Sequence, residues 1–544
     1  MSISERLAAA DAARPPLGLA ELVARLANEG RLRGIRAADG RPQAPAGIGV
    51  VAISGVSPDS RSVRPGGLFV AVPGDHADGH DFLAAAAASG AVAAIVERPA
   101  SGIALVQLVV DRSRAALASA AAWWYGDPSR ELGIVGITGT DGKTTTSFLA
   151  AAALSAAGLR SGLVGTVQVR VGGDAEPTPE HQTTPEAPEL QRLLRAMVMG
   201  GDAAAVVETT SHGLALERVA GIAYDVAILT NLSHEHLDLH GSFEAYRAAK
   251  LSLFERLAGR GPAKTGAGAA LGWPRLAVIN RDDPAADLFV AVSREAGARV
   301  LTYGAASGAD VRAVRIEEDA RRLSVAYEAP SGPSRVSLRL AGRFNVHNAL
   351  AVVAMGEGLG LDPASVRAGI EGVPGVPGRM ERVERGQPFS VIVDYAHSPA
   401  ALETVLDLLA PVAAAGGGGL IAVFGSAGER DRAKRPMMGR IAGERCRLVV
   451  LTDEDPRGED PESILDEIAR GAEAAGRRRD RDLLLIADRA AAIAAALERA
   501  RPGDVVLFAG KGHERSIIGA SGPVPWHERE AVEAALAALG FAGG

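Results

Sequence analysis

Short apolar runs alternate with longer, alanine-rich helical stretches along most of the chain. The runs consist mainly of Val, Ile, Leu and Ala, and several end at a polar residue or a glycine-rich turn: LGIVGI (132–137), AAAVVE (203–208), DVAILTN (225–231), RLAVIN (275–280), SVIVDYA (390–396), LIAVFGS (420–426), LVVLTDE (448–454) and DVVLFAG (504–510). Continuous apolar runs of this length are typical of strands that are buried on both faces of a parallel sheet. The pattern predicts an α/β fold with mostly parallel sheets.

Polar and charged side chains stand at or shortly after the ends of these runs. They are Lys143, Glu208, Asn231, Asp394, Asp453 and Lys511. In open α/β sheets, ligands bind beyond the carboxyl ends of the strands. We therefore expect these side chains to lie at ligand-binding sites.

The chain has 544 residues, which is too long for one hydrophobic core. Glycine and proline interrupt the pattern at WWYGDPSRELG (123–133) and GVPGVPGRMERV (372–383). These breaks predict three domains, over residues 1–127, 128–377 and 378–544. The Gly/Ala-rich segment 258–274 reads as a loop insertion in the second domain, and the N-terminal segment before residue 50 reads as an appended helix and a loop.

Composition narrows the class of protein. The chain is 47% apolar and 23% charged, with a net charge of −7 and no strong basic block, so no nucleic-acid partner is expected. The one cysteine, Cys446, excludes an intramolecular disulfide and favours a reducing compartment. The N-terminus is charged where a secretory signal would be apolar, and the alanine runs are broken by glycine, so no membrane span is expected. We expect a cytoplasmic enzyme.

One segment has the features of a phosphate-binding loop. The strand 132–137 leads into TGTDGKT (138–144), and an alanine-rich helix follows and ends at Gly158. Such a loop needs backbone N–H groups free of bulky side chains, a helix N-terminus behind them, and a lysine and a hydroxyl for the outer phosphates and Mg²⁺. The segment has all three, although glycines stand at 136 and 139 where G-x-x-x-x-G-K-[ST] would place one at Ile137. ATP is therefore the expected ligand.

The form TGT-x-GKT resembles that of the Mur ligases and of their folylpolyglutamate synthase relatives. Further motifs follow in the order of the Mur ligase that adds the third, usually diamino, residue of the peptidoglycan stem: SPDSRSVRPGGLFVAVPGDHADGHDF (57–82), TTPE (183–186), ETTSHGL (208–214), TNLSHEHLDLHG (230–241), YRAAKLSLF (246–254), GRFNVHNALA (342–351), GRME (378–381), VDYAHSP (393–399), GERDRAKRPMMG (428–439), DEDPR (453–457) and GKGHE (510–514). The resemblance covers nearly everything from Ser57 onward. It implies an N-terminal UDP-binding α/β domain, a central P-loop ATPase domain with a mostly parallel sheet, and a C-terminal Rossmann-like domain.

The activity that the resemblance implies is ATP-dependent amide formation in peptidoglycan precursor synthesis. ATP phosphorylates a substrate carboxylate, and the amino group of an incoming amino acid displaces phosphate from the acyl phosphate. The implied partners are ATP, a UDP-N-acetylmuramoyl dipeptide and a diamino acid, with Mg²⁺ as cofactor and the protein as a monomer. Phosphoryl transfer depends mainly on positioning and on positive charge.

The same resemblance implies the roles of residues in the central domain. ATP would be held by Gly139, Thr140, Asp141, Gly142, Lys143, Thr144 and Thr145. The catalytic residues would be Lys143, Glu208, His236 and Lys250, and the metal ligands Thr144, Glu208, His236 and a carbamylated Lys250. By composition alone, Lys250 is an ordinary helix lysine; as a carbamate it would present two oxygens and a negative charge to a metal ion.

Further nucleotide and sugar contacts are implied by matching motifs. The rest of the ATP would contact Asn280, Asn345, Arg379 and Asp394, although Asn345 could also cap a helix and Asp394 could simply end a strand. The UDP-sugar substrate would contact Ser60, Gln182, Thr183, Thr184, Thr210 and Arg218. Many relatives have Asn where this chain has Gln182, and some use Gln where it has Leu216.

The incoming amino acid would meet Arg430, Glu454, Asp455, Pro456, Arg457, Gly510 and Glu514. The family pattern for meso-diaminopimelate is Asp-Asn-Pro-Arg, and this chain has Glu-Asp-Pro-Arg. Arg457 suits the distal carboxylate that lysine and ornithine lack. Asp455 could hold Arg457 in place or weaken its demand for a carboxylate. Diaminopimelate is the favoured acceptor, with lysine and ornithine as alternatives.

Three other functions stay open at this point. A folylpolyglutamate synthase shares the loop, but the N-terminal block 57–82 argues against it. A P-loop ATPase or scaffold would use ATP without ligation, whereas DEDPR and GKGHE favour a small amino-acid pocket. A degenerate, binding-only homologue would have lost some of Lys143, Glu208, His236 and Lys250, all of which are present.

Overall fold

The computed structural model describes residues 1–74, 77–178, 182–233, 237–259, 263–318 and 323–541. The chain divides into two compact units: the first comprises residues 1–317, 324–337 and 344–372, and the second comprises residues 318–323, 338–343 and 373–544. The predicted boundary after residue 377 lies near the change of unit, and the boundary after residue 127 falls inside the first unit. The division into three domains stays a prediction.

The N-terminal part of the first unit is built around a small sheet. Its elements are α1 (Ile3–Ala12), β1 (Leu17–Gly18), α2 (Leu19–Asn28), β2 (Leu32–Arg36), β3 (Ala52–Ile53), β4 (Val56–Ser57), β5 (Leu68–Val70), α3 (Leu83–Ala88), β6 (Ala93–Val96), β7 (Val106–Val110) and α4 (Ser113–Trp124). Five strands pair in the order β2-β7-β6-β5-β4, all parallel except β2. The segment before residue 50, predicted as an appended helix and a loop, contains two α-helices and two strands instead, α1, β1, α2 and β2. Helix α1 starts with a capping box between Ser2 and Glu5.

The rest of the first unit is a larger sheet with helical crossovers. Its elements are β8 (Gly133–Thr138), α5 (Lys143–Ala156), β9 (Ser161–Val164), β10 (Gln168–Val171), β11 (Asp174–Pro177), α6 (Ala187–Gly200), β12 (Ala204–Glu208), α7 (Ser211–Ala215), β13 (Val226–Leu229), α8 (Leu237–His240), α9 (Phe243–Glu255), α10 (Gly266–Leu271), β14 (Leu276–Asn280), α11 (Ala286–Glu295), β15 (Arg299–Gly304), β16 (Val311–Glu318), β17 (Leu323–Ala329), β18 (Gly332–Leu338), α12 (Phe344–Leu359) and α13 (Pro363–Gly372). The strand order is β11-β10-β9-β12-β8-β13-β14-β15-β16-β17-β18, and the strands from β9 to β16 run parallel.

The structure can be compared with two sequence predictions for this part of the chain, one for β8 and one for the segment 258–274. Strand β8 lies in the interior of the sheet and is buried along its whole length, as its apolar run predicts. The segment 258–274 was predicted as a loop but contains α10, because its alanines favour a helical turn.

The second unit is an α/β layer structure of its own. Its elements are β19 (Glu381–Arg382), β20 (Ser390–Val393), α14 (Pro399–Ala415), β21 (Leu420–Phe424), α15 (Lys434–Arg445), β22 (Leu448–Leu451), α16 (Pro461–Ala474), β23 (Leu483–Leu485), α17 (Arg489–Glu498), β24 (Val505–Phe508), β25 (Ser516–Gly519), β26 (Gly522–Pro525) and α18 (Glu528–Ala538). Six strands pair in the order β19-β20-β24-β21-β22-β23, and only the edge strand β19 runs antiparallel among them. Apolar clusters cover both faces. Among the described residues of the whole chain, no helix is both long and apolar enough to cross a membrane.

Candidate functional site

The predicted phosphate-binding loop connects the carboxyl end of β8 to the N-terminus of α5. Gly139 has φ 152° and Gly142 has φ 80°, in the region that favours glycine. A Cβ atom at Gly139 would overlap Thr230 Oγ1, and one at Gly142 would overlap Asn348 Oδ1. The close approach of Thr230 explains why this loop has a glycine at 139.

The segment after β13 holds the loop from the side. Thr140 N donates to Asn231 O (2.9 Å), and Asp141 N donates to Asn231 Oδ1 (2.9 Å). In return, Thr230 Oγ1 (2.6 Å) and Asn231 Nδ2 (3.1 Å) donate to Asp141 O. Asn231, which the sequence pattern placed among the reactive side chains, thus shapes the loop backbone.

Lys143 and Lys250 donate to the same backbone carbonyl. Lys143 Nζ lies 3.0 Å from Gly139 O and 2.7 Å from Thr140 O, and Lys250 Nζ lies 2.6 Å from Gly139 O. Lys250 projects from α9, is 1% exposed, and lies 4.4 Å from the centroid of the Tyr246 ring. The Tyr246 hydroxyl in turn contacts Thr140 Oγ1 at 2.9 Å. Lys250 therefore lies beside the loop, and its catalytic and metal-binding roles stay predictions. His236 lies outside the described residues.

Glu208 ends β12 beside the start of α5. Its Oε2 accepts from Thr144 Oγ1 (3.0 Å) and Thr166 Oγ1 (2.8 Å), and its Oε1 accepts from Thr166 N (3.1 Å). Complete burial raises the pKa of Glu208 above its usual value, although Thr166, the Lys143 charge and Thr144 act in the opposite direction. The sequence interpretation missed Thr166; its signal is a hydroxyl residue shortly after the end of β9.

Four of the six residues predicted to bind the UDP-sugar substrate lie together next to Glu208. Thr183 Oγ1 contacts Thr166 Oγ1 at 2.9 Å. Thr184 Oγ1 donates to Glu208 O (2.7 Å), and it contacts Thr210 Oγ1 at 3.0 Å. Arg218 donates to Thr184 O (3.0 Å).

The other two residues of that prediction lie elsewhere. Ser60 is buried after β4 in the N-terminal part, and Gln182 is exposed. No hydrogen bond among the described residues links either of them to the threonine cluster.

The two asparagines predicted on the adenine side belong to networks around the loop. Asn280 Nδ2 donates to Thr230 O (2.7 Å). Asn345 lies in the first turn of α12 and accepts from Asn348 Nδ2 (2.8 Å), and Asn348 Oδ1 accepts from Thr146 Oγ1 (3.1 Å). Asn348, which the sequence interpretation did not select, thus connects Asn345 to α5.

A further pair was not predicted from the sequence. Asp282, two residues after Asn280, contacts His347 Nε2 at 2.7 Å. Partial burial raises the pKa of Asp282, but hydrogen bonds from Ala305 N, His347 and Ala306 N outweigh it, so the net shift is downward. The pair links the ends of β14 and β15 to α12.

In the second unit, Arg379 and Asp394 are held close to the end of β20. Asp394 accepts from Met380 N (2.7 Å) and Ala396 N (2.8 Å), and burial raises its pKa, against the nearby Arg379 charge. The Arg379 guanidinium carbon lies 4.7 Å from the centroid of the Tyr395 ring. Their predicted contacts with ATP stay a prediction.

Residues predicted to bind the amino acid surround a buried lysine at the ends of β22 and β24. Lys511 Nζ lies 2.8 Å from Asp455 Oδ1 and 2.5 Å from Glu514 Oε2. Ile518 N also donates to Asp455 Oδ1, at 2.9 Å. The carboxylate of Asp455 is thus paired with Lys511, which the motif comparison had not selected for this site.

Two buried polar atoms beside this cluster have no hydrogen-bond partner among the described residues: Glu454 Oε2 and Arg457 Nε. Burial raises the pKa of Glu454, while Lys434 and Lys511 act against the shift. A Cβ atom at Gly510, which has φ 99°, would lie 2.8 Å from Glu454 Oε2. Buried unpaired polar atoms are typical of ligand sites.

The remaining two predicted contacts lie on the loops around these residues. Pro456 is buried and its carbonyl accepts from Glu459 N (3.1 Å). Arg430 is exposed on the loop between β21 and α15. The structure thus places all seven predicted acceptor residues on the loops at one end of this sheet.

Three family models match the chain: "Mur ligase family, catalytic domain" over residues 52–125, "Mur ligase middle domain" over 137–356, and "Mur ligase, glutamate ligase domain" over 378–512. The chain belongs to the Mur ligase family. This confirms the family and the α/β fold predicted from the sequence.

Similar proteins narrow the comparison. A UDP-N-acetylmuramyl-tripeptide synthetase of Roseiflexus sp. (strain RS-1) is 50% identical over 90% of this chain and 96% of its own length. A UDP-N-acetylmuramoyl-L-alanyl-D-glutamate–2,6-diaminopimelate ligase of Geobacter metallireducens is 40% identical over 90% of this chain and 95% of its own. A solved structure titled as the same 2,6-diaminopimelate ligase is 31% identical, with a TM-score of 0.62, and covers 90% of this chain and 96% of that one.

Proposed function

We propose that this protein is an ATP-dependent amide ligase that joins a diamino acid to UDP-N-acetylmuramoyl-L-alanyl-D-glutamate. The names of the two relatives support this substrate over a folate, since both refer to muramyl peptides. Of the acceptors, we propose 2,6-diaminopimelate, with lysine and ornithine as the alternatives that an experiment has to separate.

The proposal rests mainly on a chain of hydrogen bonds that connects the phosphate-binding loop to the threonine cluster formed by Thr183, Thr184 and Thr210. Thr166 Oγ1 contacts Glu208, and on its other side it contacts Thr183. Glu208 in turn accepts from Thr144, at the start of α5. A substrate carboxylate held at the threonines would therefore lie beside the γ-phosphate of an ATP bound at the loop.

The chemistry follows from this arrangement. An oxygen of the substrate carboxylate attacks the γ-phosphorus, the bond from phosphorus to the β,γ-bridging oxygen breaks, and ADP leaves. The amine of the acceptor then adds to the acyl carbon, loses a proton, and expels phosphate with the oxygen that came from the carboxylate. Lys143 and the backbone N–H groups of the loop offset the negative charge that spreads over the transferred phosphoryl group.

The residues beside the loop fit a magnesium ion. Mg²⁺ prefers hard oxygen ligands, and the Glu208 carboxylate and the Thr144 hydroxyl are two such groups that already lie 3.0 Å apart. Burial raises the pKa of Glu208, and a bound cation would act in the opposite direction by favouring the ionised carboxylate. When bound, Mg²⁺ would neutralise charge on the ATP phosphates, and a carbamylated Lys250 would add further oxygens near the loop.

The acceptor site supports a diamino acid with a second carboxylate. Within the part of the chain that the structure describes, Arg457 Nε and Glu454 Oε2 are buried without hydrogen-bond partners, which offers one cationic and one anionic group to a zwitterionic ligand. Because Asp455 pairs with Lys511, its charge is offset without Arg457, and Arg457 stays available for the distal carboxylate of diaminopimelate.

The test is an assay of ADP formation and of product mass with ATP, Mg²⁺ and UDP-N-acetylmuramoyl-L-alanyl-D-glutamate. Diaminopimelate, lysine and ornithine are supplied in turn. We expect ADP to form only when both co-substrates are present, with the highest kcat/KM for diaminopimelate. Preference for lysine or ornithine would overturn the acceptor assignment alone, and ATP hydrolysis without amide product would overturn the ligase.

A further inference from the structure

Two loops of the second unit, residues 427–430 and 455–459, carry the arginines assigned to the acceptor. Each loop contains a non-glycine residue with positive φ: Glu429 at 56° and Arg457 at 54°. Such a backbone is unfavourable for a residue with a side chain and persists where the surroundings hold it in place. One strained residue is Arg457 itself, and the other directly precedes Arg430.

The two loops are bonded to each other. Gly428 N donates to Asp455 O (2.8 Å), and Glu429 N donates to Glu459 Oε1 (2.5 Å). A Cβ atom at Gly428 would overlap the carbonyl oxygen of Pro456. The position of one loop therefore fixes the position of the other.

One buried side chain, that of Arg435 in α15, contacts both loops. Its guanidinium nitrogens lie 2.9 and 3.1 Å from the two carboxylate oxygens of Glu459, and one of them donates to Ala427 O (3.2 Å). It also bonds Glu467 of α16 at 2.8 Å. Arg435 is fully buried, the largest side chain of the described residues to be so.

The charge on Glu459 is part of this arrangement. The hydrogen bonds from Arg435 and then from Glu429 N lower the pKa of Glu459 to about 2, so the carboxylate is ionised at neutral pH. If Arg435 only joined α15 to α16, its hydrogen bond to Glu467 of α16 would be enough. The bidentate pair with Glu459 and the bond to Ala427 O go to the loops instead.

We propose that Arg435 is a positioning residue for the acceptor amino acid. Through Glu459 and Ala427 O it holds the two loops in the register in which Arg430 and Arg457 receive the carboxylates of the ligand. This inference rests on the proposed function. It assigns no contact between Arg435 and any substrate, and it predicts an effect on acceptor binding rather than on ATP binding.

Two carboxylates of the same arginine give a matched test. Glu459→Ala removes the bidentate contact of Arg435 with the 455–459 loop and the bond from Glu429 N that joins this loop to residues 427–430. Glu467→Ala removes the other carboxylate partner of Arg435 and touches neither loop. We expect Glu459→Ala to raise the KM for diaminopimelate roughly tenfold or more, with the KM for ATP changed by less than about threefold. Glu467→Ala should leave the acceptor KM within about twofold of the wild type.

Two substitutions of Arg435 itself test the same role. Arg435→Lys, which retains charge but not the bidentate geometry, should fall between the wild type and Glu459→Ala in acceptor KM. Arg435→Met should resemble Glu459→Ala wherever it folds; if it does not fold, Glu459→Ala decides. Thermal unfolding of each variant checks the fold.

The outcomes separate this inference from the proposed function. An active wild type, together with Glu459→Ala and Glu467→Ala variants that have equal acceptor KM values, would overturn the positioning role alone. A wild type inactive with every diamino acid would overturn the proposed function and this inference with it.

Discussion

Lys143 and Lys250 share the carbonyl oxygen of Gly139 although they come from different helices. Two ammonium groups that share one acceptor repel each other. Carbamylation of Lys250 would remove this repulsion, because the neutral amine adds CO₂ and becomes an anion. Lys250 was selected because the segment YRAAKLSLF (246–254) resembles a Mur ligase motif. The neighbouring residues alone would suggest an ordinary surface lysine, whereas the structure buries it.

We therefore expect Lys250→Ala to lose most ligase activity and to regain part of it when small carboxylates such as acetate or formate are added. The anion would occupy the space of the carbamate. The check is kcat measured against carboxylate concentration, with the wild type as control, whose rate should not rise. Full activity of the variant without any added anion would remove Lys250 from the site.

Lys143→Ala tests the loop itself. Loss of a positive charge at the transferred phosphoryl group should cost about 3 kcal/mol or more, which is roughly a hundredfold or greater fall in kcat. Steady-state kinetics with all three substrates measures it, and circular dichroism confirms that the variant is folded. Near-normal turnover would contradict the role of this loop in catalysis.

Asp453 provides a pH test in the second unit. Burial, and then the nearby Glu462 charge, raise its pKa to about 6, above the value near 3.8 in an unfolded chain. The folded state then binds more protons between these values, so its stability falls as the pH rises through this window. Asp453→Asn should raise the thermal midpoint above pH 6 and leave it unchanged near pH 4. An equal midpoint difference at both pH values would contradict this.

At the scale of elements, continuous apolar runs were the reliable signal. The runs at 132–137, 203–208, 225–231 and 275–280 correspond to β8, β12, β13 and β14, because strands buried on both faces need apolar residues at every position. The strands β10, β11 and β16 were not selected from the sequence. Strands β11 and β16 consist mostly of exposed or partly exposed positions and resemble loops, whereas the alternation of β10 (Gln-Val-Arg-Val) is a strand pattern that the sequence interpretation missed.

The side chain of Lys264 is one of the contacts that hold the insertion at 258–274. Lys264 Nζ bonds the carbonyl oxygens of Ser129 (2.9 Å), Leu132 (2.9 Å) and Ala223 (2.8 Å), and it lies 2.5 Å from Asp225 Oδ2. Burial raises the pKa of Asp225 and lowers that of Lys264, and the attraction between the two charges opposes both shifts. The lysine therefore ties the insertion to the start of β8.

We expect Lys264→Met to lower the stability of the first unit by about 3 kcal/mol, because it removes the cation that is hydrogen-bonded to the buried Asp225 carboxylate. Adding Asp225→Asn to that variant should recover part of the loss. Thermal unfolding of the single and double variants measures both effects. A single variant as stable as the wild type would show that the insertion does not depend on this pair.

At the scale of the whole molecule, the sequence supported the family and fold class because a dozen motifs occur in one order along the chain. It could not supply the contacts that make those motifs work. Thr166 contacts Glu208 and Lys511 contacts Asp455 across distant parts of the sequence, and these pairings follow from the fold rather than from any local pattern. Arg435 contacts the acceptor loops through Glu459 and Ala427 O, neither of which was selected from the sequence.

In the proposed reaction, ATP activates a carboxylate of the muramyl dipeptide as an acyl phosphate. The most direct measurement uses UDP-N-acetylmuramoyl-L-alanyl-D-glutamate labelled with ¹⁸O in its glutamate carboxylates, followed by mass analysis of the phosphate released during ligation. We predict one ¹⁸O atom in each phosphate, because the oxygen that attacks phosphorus leaves with it. If the phosphate contained no ¹⁸O while amide product accumulated, the acyl-phosphate intermediate would be ruled out.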